Sequence, residues 1–322
     1  MKLLITMSEE NEWGHTLSDD HVKQIETAFP DLEVAVALGE ATEEQYRDAD
    51  ILAGFPVRIP KVTEGMKVRW IHTLSAGVDY VLTPEVKARE DIVVSNSSGI
   101  HAIPITEHVI GLILSYNQQF PRIFRDQAVK KWEKNVNSSE LHGKTVTIVG
   151  LGAIGSQLAK TLKAFDCTVH GVVRTIREAP SYVDSLCTSD TMQEVLAVSD
   201  YVVICLPGSP ETKGMFDAKM FGQMKESGVI VNIGRGTIIN QDDLIEALEN
   251  KTIAGALLDV TTPEPLPPES PLWSMPNVII TPHCSSATTK AMDRIIDRLC
   301  LNIDAFIKEE KLPNEVDKKL GY

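Results

Sequence analysis

The sequence predicts an α/β protein built from two doubly wound parallel sheets. Three observations lead there. Residues 2–98 alternate short apolar runs with polar, helix-compatible stretches, the same alternation restarts at 144, and the later strands are apolar throughout, as in sheets covered on both faces. With 322 residues, 43% hydrophobic and 24% charged, the chain can fill two cores of ordinary domain size.

In the first stretch "KLLIT", "LEVAVA", "ILAGF", "VRWIHTLS" and "IVVSNSS" read as strands. Between them "SDDHVKQIETAF" reads as a helix with Ser18 and Asp19 as candidate caps. From residue 101, "HAIPITEHVIGLILSYNQQF" keeps helical spacing for longer than a strand allows, with Pro104 suited to a first turn, and predicts one long connecting helix. "KTVTIVG", "TVHGVV", "YVVICLP", "GVIVNIG", "AGALLDV" and "VIITP" are the strands of the second stretch, with helices over "AIGSQLAKTLKAF" and "TMQEVLAVS". The tail "TTKAMDRIIDRLCLNIDAFIKE" is helical and is expected to cross back to the first domain.

A formal charge of -14 argues against nucleic acid and gives no help toward an anionic membrane. The apolar run in "MKLLITMSEENEW" is too short for a secretory segment and no stretch reaches membrane-spanning length, so a cytoplasmic protein is expected. The sequons at Asn96 and Asn137 would matter only for a secreted chain. Cys167, Cys187, Cys205, Cys284 and Cys300 are odd in number and lack CxxC spacing, which predicts neither disulfides nor a metal site. Cys284 beside His283 invites a nucleophile reading, but neighbours on an extended segment point to opposite faces.

"VGLGAIGSQ" places Gly150, Gly152 and Gly155 after a strand and at the opening of a helix. Gly150 permits the tight turn, Gly152 a close approach of backbone to a pyrophosphate, and Gly155 close packing of helix on sheet, with Ala153 and Ile154 in the helix's first turn over the cofactor. A ligand-free turn is the plain alternative. An Asp or Glu about 20 residues on normally holds the ribose of NAD. Here stand Val172, Val173 and Arg174, and Arg174, Thr175 and Arg177 suit a 2'-phosphate, so NADP is expected with NAD still possible; alternatively both arginines are ordinary surface charges. Cys205, Leu206 and Pro207 end another strand and are assigned to the adenosine side, and Thr212 and Ile233 to the cofactor as well.

"NIGRG", "LDVTTPEPLP" and "TPHCSSAT" follow three further strands, so Arg235, Asp259, Glu264 and His283 all lie where open α/β sheets bind ligands. With "LSAGVDY" and "NSSGIHAIPITEH", these motifs resemble the D-isomer-specific 2-hydroxyacid dehydrogenases over nearly the whole chain. The resemblance implies a discontinuous, flavodoxin-like substrate domain over 1–98 and 292–322, an inserted Rossmann cofactor domain over 99–291, a cleft between them and commonly a homodimer. It implies hydride transfer between NADPH and a small 2-keto or D-2-hydroxy acid, with Arg235, Glu264 and His283 as the catalytic set. A guanidinium suits a carboxylate and a polarised carbonyl, imidazolium can protonate a nascent alkoxide, and a carboxylate beside the imidazole favours its charged form and orients it. Asp259 and His283 are expected near the nicotinamide, the Ser75, Ala76 and Gly77 backbone at the substrate carboxylate, and Phe55, Pro56 and Val57 along an apolar side-chain pocket. "LSAGVDY" lacks the second Gly common in that loop. Two other readings share the fold: a dinucleotide-sensing corepressor-like protein, and NAD-dependent oxidation of another small anion such as formate or phosphite.

Overall fold

In the computed structural model the pairings between the described strands are parallel, and these strands fall into two sheets. Residues 1–7, 16–39, 41–55, 66–78 and 80–319 are described. The strands are β1 Lys2–Met7, β2 Glu33–Leu38, β3 Ile51–Phe55, β4 Trp70–Thr73, β5 Val93–Asn96, β6 Thr145–Val149, β7 Thr168–Val172, β8 Ser185–Cys187, β9 Tyr201–Ile204, β10 Val229–Asn232, β11 Gly255–Leu258 and β12 Val278–Ile280. The helices are α1 Asp19–Ala28, α2 Glu43–Asp48, α3 Pro84–Ala88, α4 Ala102–Asn117, α5 Phe120–Ala128, α6 Ala153–Lys163, α7 Gln193–Leu196, α8 Ala218–Phe221, α9 Gln241–Glu249 and α10 Ala291–Ile307. Two units emerge, Met1–His101 with Ala287–Tyr322, and Ala102–Ser286.

In the first unit the strand order is β2-β1-β3-β4-β5, the flavodoxin-like winding. Leu3, Ile5, Ile51, Ala53 and Trp70 face a core closed by α1 and α10, while Leu4, Leu52 and Ile71 face a second core closed by α2 and α3. That alternation is the period of two that a sheet covered on both faces requires. Ser18 caps α1 as expected, and His21 returns a ring nitrogen to the Ser18 N–H.

The second unit orders its strands β12-β11-β10-β9-β6-β7-β8. Read from β8, the winding runs inward to β6 and then outward from β9, so the order reverses between β6 and β9, the switch point where doubly wound sheets bind ligands. Val146, Ile148, Tyr201 and Val203 pack under α4 and α6, and Val149, Val202, Ile204 and Ile230 under α7, α8 and α9. The single helix expected over 101–120 ends at Asn117, Gln119 takes a left-handed φ of 58°, and α5 starts anew with Pro121 in its first turn. Proline lacks the N–H that a helix interior needs, which explains the restart. β8, only three residues long, has no alternation to announce it.

Candidate active site

The Gly turn joins β6 to α6 at the switch point of the second unit. Gly150 has φ +106°, and a Cβ there would lie 2.9 Å from the Cys205 carbonyl oxygen at the end of β9. A Cβ on Gly155 would lie 2.1 Å from the Gly150 oxygen, whereas one on Gly152 would meet nothing within 4 Å. Gly152 is the N-cap of α6 and supplies no side chain, so the N–H groups of the first turn, which includes Ala153 and Ile154, have no side-chain cap. Open space in front of uncapped N–H groups fits a dinucleotide pyrophosphate.

At the end of β7, Val173 packs partly into the core, while Arg174, Thr175 and Arg177 are exposed. Arg177 Nη2 donates to the Leu151 carbonyl at 3.2 Å, which ties it to the Gly turn. The Ser209 hydrogen bond holds the Glu211 carboxyl below its ordinary range, and the charge of Arg174 adds to the effect. Thr212 Oγ1 donates to the Pro207 carbonyl at 2.9 Å and closes that loop. Leu206 packs against both Gly turns, since a Cβ on Gly150 would meet its side chain at 3.0 Å and one on Gly234 its carbonyl oxygen at 2.5 Å. Ile233 belongs to the core.

Three loops after β10, β11 and β12 carry the charged groups. Asn232 is buried and braces the first: its Nδ2 donates to the Arg235 carbonyl at 3.0 Å and its Oδ1 accepts from the Gly234 N–H at 3.0 Å. Arg235 itself is exposed and donates from Nη1 to the Gly234 carbonyl at 2.7 Å. A Cβ on Gly236 would lie 1.8 Å from the Thr261 carbonyl oxygen, so the Arg235 turn lies hard against the loop that carries Glu264. In that loop Glu264 Oε1 accepts from the Thr261 N–H at 3.0 Å, and Oε2 meets His283 Nδ1 at 2.8 Å. A carboxylate only accepts, so Nδ1 carries the hydrogen of this contact.

Asp259, at the end of β11, is 1% exposed. Its oxygens accept from Thr281 Oγ1 at 2.6 Å, from the Cys284 N–H at 3.0 Å and from the Ser285 N–H at 3.1 Å. Burial alone would raise this carboxyl; the bonds from Ser285, Thr281 and Cys284 outweigh it and hold it below the ordinary range. Burial lowers His108, against the opposing pull of Asp259. Burial first and Asp259 second push the Cys284 thiol up, and burial pushes Cys205 up to about 12, so neither is a thiolate nucleophile at neutral pH. Thr281 and His108 escape sequence reasoning: a hydroxyl after a strand and one His on an apolar helix carry no spacing signal.

In the first unit Ser75, Ala76 and Gly77 follow β4. The Ser75 carbonyl accepts from Thr73 Oγ1 and from the Ser97 N–H, both at 2.9 Å, the Ala76 carbonyl from Asn96 Nδ2 at 3.0 Å, and the Gly77 carbonyl from Ser75 Oγ at 2.9 Å. In a trans peptide the N–H points opposite to the carbonyl, so the N–H groups of Ala76, Gly77 and Val78 point away from those partners. Phe55 ends β3, but its side chain, like Pro56 and Val57, lies outside the described residues. Among the described residues no cluster of three or more His, Cys, Asp or Glu could hold a metal, and no helix is long and apolar enough to cross a membrane.

The family model for the D-isomer specific 2-hydroxyacid dehydrogenase NAD binding domain matches residues 110–285, more than half of the chain. The chain belongs to that family. A D-2-hydroxyacid dehydrogenase of this kind is an NAD(P)-dependent oxidoreductase acting on small 2-hydroxy or 2-keto acids. Among its relatives is the mouse glyoxylate reductase/hydroxypyruvate reductase, 33% identical over 78% of this chain and 78% of that one. The D-3-phosphoglycerate dehydrogenase of Methanocaldococcus jannaschii is 30% identical over 95% of this chain and 60% of its own. Among solved structures, the D-isomer specific 2-hydroxyacid dehydrogenase of Xanthobacter autotrophicus, in complex with NADPH and MES, is 26% identical with a TM-score of 0.78 over 98% of this chain and 99% of that one.

Proposed function

We propose that this dehydrogenase reduces a small 2-keto acid to the D-2-hydroxy acid with NADPH, and that Arg235, Glu264 and His283 are its catalytic residues. The observation that carries the reading is the His283 ring, held through Nδ1 by Glu264 Oε2 at 2.8 Å, and the proton transfer is assigned to its Nε2. The nicotinamide, when bound, supplies the hydride. His283 Nε2 gives the proton that the nascent alkoxide needs, and Glu264 holds the ring in the required orientation. Arg235 supplies a planar cation for the substrate carboxylate and carbonyl. The backbone N–H groups of Ala76 and Gly77 are assigned a carboxylate, and the first turn of α6 the pyrophosphate. A substrate panel of glyoxylate, hydroxypyruvate and larger 2-keto acids, which carry the same reacting group, identifies the acid taken.

For the cofactor, the absence of an acid at Val173 and the exposed Arg174, Thr175 and Arg177 favour a 2'-phosphate, in keeping with the NADPH bound to the Xanthobacter neighbour. NADPH is then expected to be preferred over NADH by at least about tenfold in kcat/KM, a modest yield for charge-assisted bonds because the arginines are exposed and salt screens them. Arg174→Ala is expected to raise KM for NADPH and leave NADH nearly unchanged, and Val173→Asp to reverse the preference. Steady-state kinetics with both cofactors at one ionic strength is the test, and a wild type that prefers NADH sinks the phosphate reading. A homodimer belongs to the same reading: Phe124, Val129 and Trp132 are 60%, 72% and 89% exposed on and after α5, an apolar surface a second copy would cover. Light scattering on the same preparation checks it, a monomer being the contrary result.

A further inference from the structure

We infer that Asp259 is a positioning residue for His283: it clamps the Thr281–Ser285 turn in the backbone shape that presents the imidazole to Glu264, and His108 braces the clamp through Thr281. This rests on the reading of His283 as the proton donor. His283 has φ +50°, in the left-handed region that residues with a Cβ adopt uncommonly, and its backbone there is tied down by hydrogen bonds. The partners here are almost all one residue. Pro282 has no N–H to give, and every other residue from 281 to 285 donates to Asp259. Thr281 Oγ1 and the Cys284 N–H reach Oδ1 at 2.6 and 3.0 Å, the Ser285 N–H reaches Oδ2 at 3.1 Å, and the His283 N–H reaches the Asp259 carbonyl at 2.8 Å.

The hydrogens of the neighbouring group can be counted. Thr281 Oγ1 has one, and it goes to the buried carboxylate, so at 3.0 Å from His108 Nε2 the same oxygen must accept. His108 therefore carries hydrogen on Nε2, which also stands 3.6 Å from Asp259 Oδ1. His108 sits on α4, whose Val109, Leu112 and Ile113 are packed in the core, so the brace is anchored to a rigid element. Asp259 is itself fixed by its N–H, which donates to the Asn232 carbonyl at 3.0 Å.

The test uses the full-length protein. Asp259→Asn keeps the shape but offers one acceptor oxygen where the clamp needs two, and turns an N–H donor toward another donor. Expected are a fall in kcat of about tenfold to a hundredfold, an NADPH Kd from fluorescence titration within about twofold of wild type, and, in the cofactor-free protein, loss or broadening of the His283 ring signals in 1H–15N spectra. Thr281→Val should move kcat and the ring signals the same way by less, and Thr281→Ser should restore both; this pair carries the test if Asp259→Asn does not fold. Ring signals that match wild type in Asp259→Asn and Thr281→Val overturn the inference, as does an NADPH Kd weakened tenfold with the ring unmoved, which would make Asp259 a cofactor contact instead. Normal turnover in His283→Ala would remove the proton-donor reading, while the ring spectra of the other variants would still report on the clamp.

Discussion

Thr261 N–H, Glu264 and His283 Nδ1 form a short relay of contacts through the glutamate, with 3.0 Å on one side of its carboxylate and 2.8 Å on the other. Glu264→Gln keeps the reach but replaces one oxygen by an NH2 group, which cannot accept from both Thr261 and His283. Turnover is expected to fall about tenfold to a hundredfold, and stability to change by no more than about 1 kcal/mol because both side chains are more than a third exposed. Kinetics beside denaturant melts checks this; unchanged turnover would separate Glu264 from the proton transfer. Strand-end placement made Arg235, Glu264 and His283 legible in the sequence. Thr281 and His108 were not, because their parts depend on which way a hydroxyl points and which ring nitrogen carries hydrogen, and tertiary contacts decide both. Asp259 was legible as a residue at a strand end, but the direction of its bonds, toward 281–285, was not.

Between β4 and β5 a buried polar chain finds a partner for every hydrogen when His72 is neutral. Trp70 Nε1 donates to Ser95 Oγ at 2.8 Å, and with a neutral His72 that hydroxyl's own hydrogen goes to Nδ1 at 2.7 Å. His72 Nε2 then donates to Ser97 Oγ at 3.1 Å, which passes its hydrogen to the Thr73 carbonyl at 3.1 Å. A protonated ring would leave the Ser95 hydrogen without a partner, and burial first, with Arg298 second, lowers His72 to about 3 from 6.5. The sign follows: between those values the unfolded chain binds a proton that the folded one refuses. Stability is therefore intact above pH 6.5 and falls as the pH drops toward 3, by up to about 1.4 kcal/mol per pH unit from this group. Denaturant melts at pH 7.5 and 5 are expected to show that loss and His72→Gln to show a shallower one; equal slopes would mean His72 accepts its proton in place. Such elements were partly legible. Strand alternation and the Ser18 cap could be read along the chain, whereas strand order, the α4 to α5 break at Gln119 and the short edge strand β8 depend on partners distant in sequence.

At the scale of the whole molecule, the two units differ in how their cores are assembled from the chain. Residues 102–286 close the second unit from one continuous stretch. The first unit places Leu3, Ile5, Ile51 and Trp70 in one core with Met292, Ile295, Ile296, Leu299 and Ile303. A protein is made from one end, so the order in which these residues leave the ribosome imposes an order of folding. Ribosome-held chains that have released residue 286 but not α10 are expected to resist protease across 102–286 and to be cut within the first hundred residues, and full-length chains to resist in both. Equal resistance of the first hundred residues in both sets would contradict this. During synthesis, then, the segment made first is the last to be sheltered, and for as long as it takes to translate some two hundred further residues its β1 and β3 faces stand open to chaperones, to proteases and to neighbouring nascent chains.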